Sequence, residues 1–220
     1  MFLLALSCLQ GRPMETAFRA LCALAPDGVQ LTPGNQPTVG FSSVVADSRL
    51  RVRTHHGFTF EKWKQRVWND DGSCAVTSDS VHPPLRSVLA DWEPSGALPV
   101  LETMYPGSAL GTGPELEHAM ALRLPLAVDV SHVFMQFHAG VISDGTWKRL
   151  QDYEHIAEVH VSRNDGRSDA HLPLRDDTFG LEWARERLKA GTPLILESYF
   201  HRVSDDARRA QVALFDGGRS

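Results

Sequence analysis

Ile156–Leu174 reads IAEVHVSRNDGRSDAHLPL, a short apolar strand that delivers His160, then a polar loop pivoting on Gly166, then Asp169 and His171. A strand carrying one imidazole, followed by a loop returning Asp-x-His, gathers two imidazoles and a carboxylate near one strand end. Divalent transition metals take His nitrogen and carboxylate oxygen from such a rigid frame. Taken alone, the same pattern also describes a surface loop that contains histidine, so the surrounding chain has to decide.

Working outward, short apolar segments alternate with amphipathic ones. Strands are expected at Phe2–Leu9, 28–32, 50–55, 73–81, 97–102, 124–130, 156–161 and 192–199. Helices are expected at 14–24, 60–68, 84–92, 114–122, 146–154, 179–190 and 204–215, with Pro84 in a first turn, Gly191 as a left-handed cap and Ser204 as an N-cap. Residues 35–48 show no convincing helix. Strands alternating with helices imply a parallel sheet, and eight such units imply a compact single-domain (β/α)8 TIM barrel over residues 1–220. Barrels of this type usually need about 250 residues, with a range from about 200. The open doubly wound alternative lacks a Gly-rich phosphate turn after its first strand.

Composition narrows the function classes. Hydrophobic residues make up 42% and charged residues 22% of the chain, as in ordinary globular proteins. A net charge of −5 argues against a broad basic footprint for nucleic acid. Three cysteines without metal-finger spacing suit reduced thiols and a cytoplasmic setting. The apolar run of MFLLALSCLQGR has no preceding Lys or Arg and no small-x-small cleavage site, so it is read as a first strand. No apolar stretch approaches the roughly 20 residues that span a membrane.

In a barrel the C-terminal strand ends converge on one site. There the sequence places His56, His82, Glu102, Asp129, His132, His160, Asp169, His171 and Glu197, with His55 as an alternative to His56. These nine donors exceed the needs of one ion and suit two or three. Glu197 could instead be salt-bridged in the core, and His118, His138, His155 and His201 read as ordinary surface residues. Trp63, Trp68 and Trp183 read as packing residues.

The ordered set His56-Gly57, His82-Pro83, Leu101-Glu102, Asp129-Val130-Ser131-His132, His160 with Asn164-Asp165, Asp169-Ala170-His171 and Leu196-Glu197 resembles the xylose isomerase-like TIM barrel superfamily. The resemblance is to the AP endonuclease family 2 group, which includes endonuclease IV and sugar phosphate isomerases and epimerases. It implies that Glu102, Asp129, His160 and Glu197 match the metal ligands shared by isomerases and epimerases. His56, His82, His132, Asp169 and His171 match the further ligands with which endonuclease IV holds three zinc ions. Multinuclear iron peptide oxidases use a similar barrel and similar ligand types.

The full donor set points first to metal-hydroxide hydrolysis of a small phosphoester or sugar-phosphate-like substrate. Two or three divalent ions are expected, zinc first, with manganese or iron as alternatives. Arg163 and Arg167 are candidates for binding phosphate. The alternative is a sugar or sugar phosphate isomerase or epimerase with a single metal, Glu102 and Glu197 serving as acid and base. Iron-dependent peptide oxidation is the third reading. Short loops and negative charge disfavour DNA as partner and favour a small molecule.

Overall fold

The structure is a computed structural model and describes residues 1–56, 79–87 and 100–218. Eight parallel strands close into a barrel in sequence order. They are β1 (Phe2–Ala5), β2 (Gly28–Leu31), β3 (Arg51–His56), β4 (Ser80–Val81), β5 (Val100–Glu102), β6 (Leu126–Asp129), β7 (Ile156–Val161) and β8 (Leu194–Leu196). The helices are α1 (Met14–Cys22), α2 (Phe41–Ser48), α3 (Gly113–Ala121), α4 (Val130–His138), α5 (Asp144–Gln151), α6 (Leu181–Lys189) and α7 (Asp205–Ala213). The TIM barrel expected from the alternation of elements is therefore the observed fold.

Strand register fixes what faces inward, because paired residues share a face and the side-chain period is two. Around the ring Ala5 pairs with Gln30, Gln30 with Arg53, His55 with Ser80, and Ser80 with Val100. Glu102 then pairs with Ala127, Asp129 with His160, and His160 with Ile195. The inner face is thus rich in polar groups near the C-terminal mouth. The opposite face carries Leu4, Val29, Val128, Val159 and Leu196, all wholly buried against the helices. Phe2 stacks on Phe215 with ring centroids 4.9 Å apart, tying the first strand to the chain's end.

Three expectations change. Residues 35–48 do contain a helix, α2. Its Ser and β-branched residues are weak helix formers, but Phe41 is fully buried edge-on to Phe18 at 5.7 Å, so tertiary packing decides. The apolar run Phe2–Leu9 is strand only to Ala5, and Leu6–Leu9 forms a 3₁₀ turn. A helix unforeseen in the sequence, α4, follows β6 with no linker. The helix expected at 60–68 lies outside the described residues, as do the start of the strand expected at 73–81 and most of the helix expected at 84–92. Among the described residues no helix is long and apolar enough to cross a membrane.

Gly28 shows how tightly the strands approach. A Cβ there would press on the Arg51 carbonyl oxygen, with the Arg51 carbonyl carbon 3.1 Å away. Backbone in a barrel ladder cannot yield as a flexible side chain can. Gly28→Ala is expected to destabilise the fold by about 1–3 kcal/mol, read as a lower denaturant midpoint with an unchanged slope; an unchanged midpoint would show that the ladder gives.

Candidate metal centre

Glu102 ends β5 and is 1% exposed, so its carboxylate needs compensation. Imidazoles supply it. His55 Nε2 and His82 Nε2 lie 3.0 and 2.9 Å from its Oε2, and His132 Nδ1 and His160 Nδ1 lie 3.2 and 3.7 Å from its Oε1. Burial pushes the Glu102 acid strength one way, but the facing imidazoles prevail and hold its pKa well below the usual carboxylate range.

Each neighbour is itself positioned. His55 Nδ1 is 2.9 Å from Ser80 Oγ on β4. His132 Nδ1 is 2.9 Å from the Thr103 carbonyl. Asp129 closes β6 and caps α4, its Oδ1 accepting from the N–H groups of Ser131 at 2.6 Å and His132 at 3.2 Å. Its other oxygen, Oδ2, is buried without a hydrogen bond among the described residues. Burial raises the Asp129 pKa to about 6.

His160 on β7 holds Glu158 through Nε2 at 2.9 Å. Its Nδ1 lies 3.3 Å from Glu197 Oε1, beyond β8. Glu158 is fully buried and bonded at 2.7 Å to Arg53 Nε from β3. An acceptor on one ring nitrogen turns the other nitrogen's lone pair toward the centre, a common arrangement behind metal-bound histidine. Burial opposes charge on His160, yet Glu197, Glu102 and Glu158 raise its pKa well above the ordinary value.

The loop after β7 adds a further branch. His132 Nε2 lies 3.2 Å from Asp169 Oδ2, which is 3.1 Å from His171 Nε2. His171 sits in the left-handed backbone region at φ 44°, uncommon for a non-glycine residue. Burial works against its charge, but the Asp169 hydrogen bond lifts its pKa to about 9. Tyr105 covers the site edge-on to His132 at 5.1 Å.

The donors fall into overlapping sets whose ligand atoms lie within 4.8 Å of one another: His55–His82–Glu102, Glu102–Asp129–His132, Asp129–His160–Glu197 and His55–Glu158–His160. Both oxygens of Glu102, Oδ2 of Asp129, Nε2 of His132 and Nδ1 of His160 are buried without a well-formed hydrogen bond among the described residues. Converging unsatisfied nitrogen and oxygen atoms fit divalent metal.

Of the sites expected from sequence, His82, Glu102, Asp129, His132, His160 and Glu197 meet directly in these sets, and Asp169 and His171 adjoin through His132. The side chain of His56, which pairs with Val81, lies outside the described residues; the alternative, His55, is the imidazole seen at Glu102. The two arginines do not reach the cluster through any described contact. Arg167 Nε turns to His138 Nε2 at 3.3 Å, and Arg163 Nε donates to the Pro173 carbonyl at 2.9 Å. Sequence reading missed Glu158, Arg53 and Ser80. Their signal is parity, since Glu158 is two residues from His160 and Arg53 two from His55.

Two outcomes are expected. Asn caps helices as well as Asp, so metal-free Asp129→Asn should keep its thermal midpoint, whereas Asp129→Ala should lose about 1 kcal/mol; equal losses would discount the cap. Because the surrounding carboxylates raise the His160 pKa well above its ordinary value, an ion taking its Nδ1 would displace a proton. Zinc addition in weak buffer should release protons, and affinity should rise as pH rises from the acid side through neutrality. Binding without proton release would contradict this protonation.

No protein-family model and no curated protein matches the sequence. Among solved structures, the chain is similar to a D-tagatose 3-epimerase-like protein, at 14% identity over 98% of each chain with a TM-score of 0.61. It is also similar to an L-ribulose 3-epimerase, at 12% identity over 96% of this chain and 86% of that one, with a TM-score of 0.54. The likeness to both is one of fold, a closed barrel of eight parallel strands.

Proposed function

We propose that this chain is a divalent-metal-dependent isomerase or epimerase that moves a carbon-bound proton on a small hydroxy-carbonyl compound of the sugar type. The observation that carries this reading is the placement of Glu102 and Glu197. They come from opposite parts of the ring, at β5 and just beyond β8, yet reach the same His160 nitrogen at 3.7 and 3.3 Å. Two carboxylates facing one centre suit proton removal on one face of a carbon and return on the other. Both similar structures described above are named as 3-epimerases or as epimerase-like. Their likeness supports the choice of this reading over hydrolysis.

Glu102, Asp129, His160 and Glu197 would hold the ion. Once bound, a divalent ion would polarise the substrate carbonyl and lower the energy of the adjacent carbanion. The protein does the rest. One glutamate takes the proton from the carbon beside the carbonyl, and the other delivers a proton to the opposite face. Facing imidazoles outweigh burial and hold both glutamates below their usual pKa range, so the one that removes the proton starts ionised, and the other takes up a solvent proton before it delivers one. In this reading His132, beside Tyr105 and 3.2 Å from Asp169, would bind a substrate hydroxyl rather than metal. Its backbone anchoring at Thr103 keeps that contact in one direction.

One specific observation favours a second reading, polynuclear metal-hydroxide hydrolysis of a small phosphoester. Glu102 faces four imidazoles, and Asp169 with His171 extends the donor set beyond the needs of one ion. The same donors also admit iron and an oxidative reaction.

The deciding experiment combines metal analysis with proton exchange. On the isomerase reading, metal-loaded protein in heavy water incorporates solvent deuterium at the carbon beside the carbonyl of a ketose substrate. Glu102→Gln and Glu197→Gln should each slow this by about a hundredfold or more. Two or three tightly held zinc ions with phosphoester cleavage and no carbon exchange would replace the isomerase with the hydrolase. Stoichiometric iron with oxygen consumption would replace both.

A further inference from the structure

Beside the metal centre the C-terminal loops enclose a separate cavity of about 190 Å³. Its polar wall is built from Ser131 at the start of α4, Ser162, Arg163 and Asn164 after β7, and Arg175 and Thr178 before α6. Phe134 and Phe179, stacked at 5.5 Å, form the apolar side. The cavity belongs to none of the donor sets described above.

Two features of the wall point to a ligand. Ser131 and Ser162 are 2% and 1% exposed, and the hydroxyl oxygen of each is buried with no hydrogen-bond partner among the described residues. Folded proteins retain few such groups, and each asks for an explanation. Here both line one cavity. The charge on the same wall is net positive, since Arg163 and Arg175 face a single exposed carboxylate, Asp177.

The other polar groups are already engaged. Asn164 donates to the Ser131 carbonyl at 2.9 Å and accepts from the Gly166 N–H at 2.8 Å, bracing the loop against α4. Thr178 Oγ1 accepts from the Arg175 N–H at 2.8 Å, which fixes the turn that carries this arginine. The Pro173 carbonyl takes Arg163 Nε and sets its guanidinium plane. Asp129 takes the N–H groups of Ser131 and His132, so the end of α4 contributes field rather than hydrogen bonds.

We propose that this cavity is an oxyanion subsite for a phosphate or carboxylate group, with Arg163 and Arg175 supplying charge and Ser131 and Ser162 supplying hydroxyl donors. Guanidinium groups match the planar, multidentate geometry of such anions. The subsite adjoins the metal centre through the chain itself. Ser131 precedes His132 directly, and Ser162 lies two residues beyond His160, a span of roughly 7 Å in extended chain. The chain thus puts the two sites side by side, as a small sugar phosphate or sugar acid bound across both would need. The subsite stands on its own residues; its use as the seat for a substrate's charged end rests on the isomerase reading.

The test is calorimetric titration of the metal-loaded protein with inorganic phosphate, then with a ketopentose and its 5-phosphate. Arg163→Gln/Arg175→Gln and Ser162→Ala are the variants, each checked for unchanged metal content and thermal midpoint. Phosphate binding should weaken about tenfold or more in the double variant and measurably in Ser162→Ala. A preference for the 5-phosphate that disappears in the double variant assigns the subsite to the substrate's charged end. Phosphate binding that is lost in the double variant while both ketoses bind alike supports the subsite and makes a free oxyanion its ligand. Absence of phosphate binding up to about 10 mM, or equal affinity in the double variant, overturns the proposal. Deuterium exchange on an uncharged ketose reports on the isomerase reading independently.

Discussion

A carboxylate as buried as that of Glu102 is tolerable only because imidazoles surround it. His55, His82, His132 and His160 come from β3, the β4 loop, α4 and β7, and each must arrive in register for the charge to be compensated. Removing one partner from such a cluster leaves uncompensated charge in a low-dielectric interior, typically at a cost of about 3–5 kcal/mol. The barrel's closure and the chemistry at its mouth are therefore not separable problems. The apolar outer faces hold the strands in order, and that order carries the imidazoles to the carboxylate.

Beneath the donors lies a second tier. Ser80 bonds His55 Nδ1, and Glu158, held by Arg53, bonds His160 Nε2, so these residues determine which ring nitrogens face the centre. Glu158 is held well below its ordinary acid range, at a pKa of about 2, because His160 and Arg53 outweigh its burial. It therefore remains an acceptor across the working pH range, and the His160 nitrogen beside it remains a donor. The orientation of the ligand ring is in this way a property of a strand on the other side of the barrel.

The fold and most of the centre were legible in the sequence because two periodicities are strong there. Alternation of apolar strands and amphipathic helices marks the barrel, and polar residues at strand ends mark Glu102, Asp129, His160 and Glu197 as candidates, which the structure brings together. What failed was finer. His55, the alternative to His56 in the sequence, is the imidazole that meets Glu102, while the His56 side chain lies outside the described residues. Parity also marks Glu158 and Arg53 as inward, but only once the register with adjacent strands is known. The helix α2 has weak local propensity and exists through the burial of Phe41. The helix α4 was hidden because its cap, Asp129, is also the last residue of a strand. Arg167 bonds to His138, and Arg163, held by the Pro173 carbonyl, lines the neighbouring cavity rather than the donor cluster.

The double duty of Asp129 has a consequence for ion placement. One carboxylate oxygen is pinned by two backbone N–H groups of a helix, and that helix is packed through Val130 and Val133 into the core. The remaining oxygen, buried without a hydrogen bond among the described residues, is held in place by those two bonds to its partner. Where flexible loops let oxygen ligands adapt to ions of different size, this donor is set by backbone geometry. On the reading that Asp129 holds an ion, the place of that ion would be set by the junction of a strand and a helix.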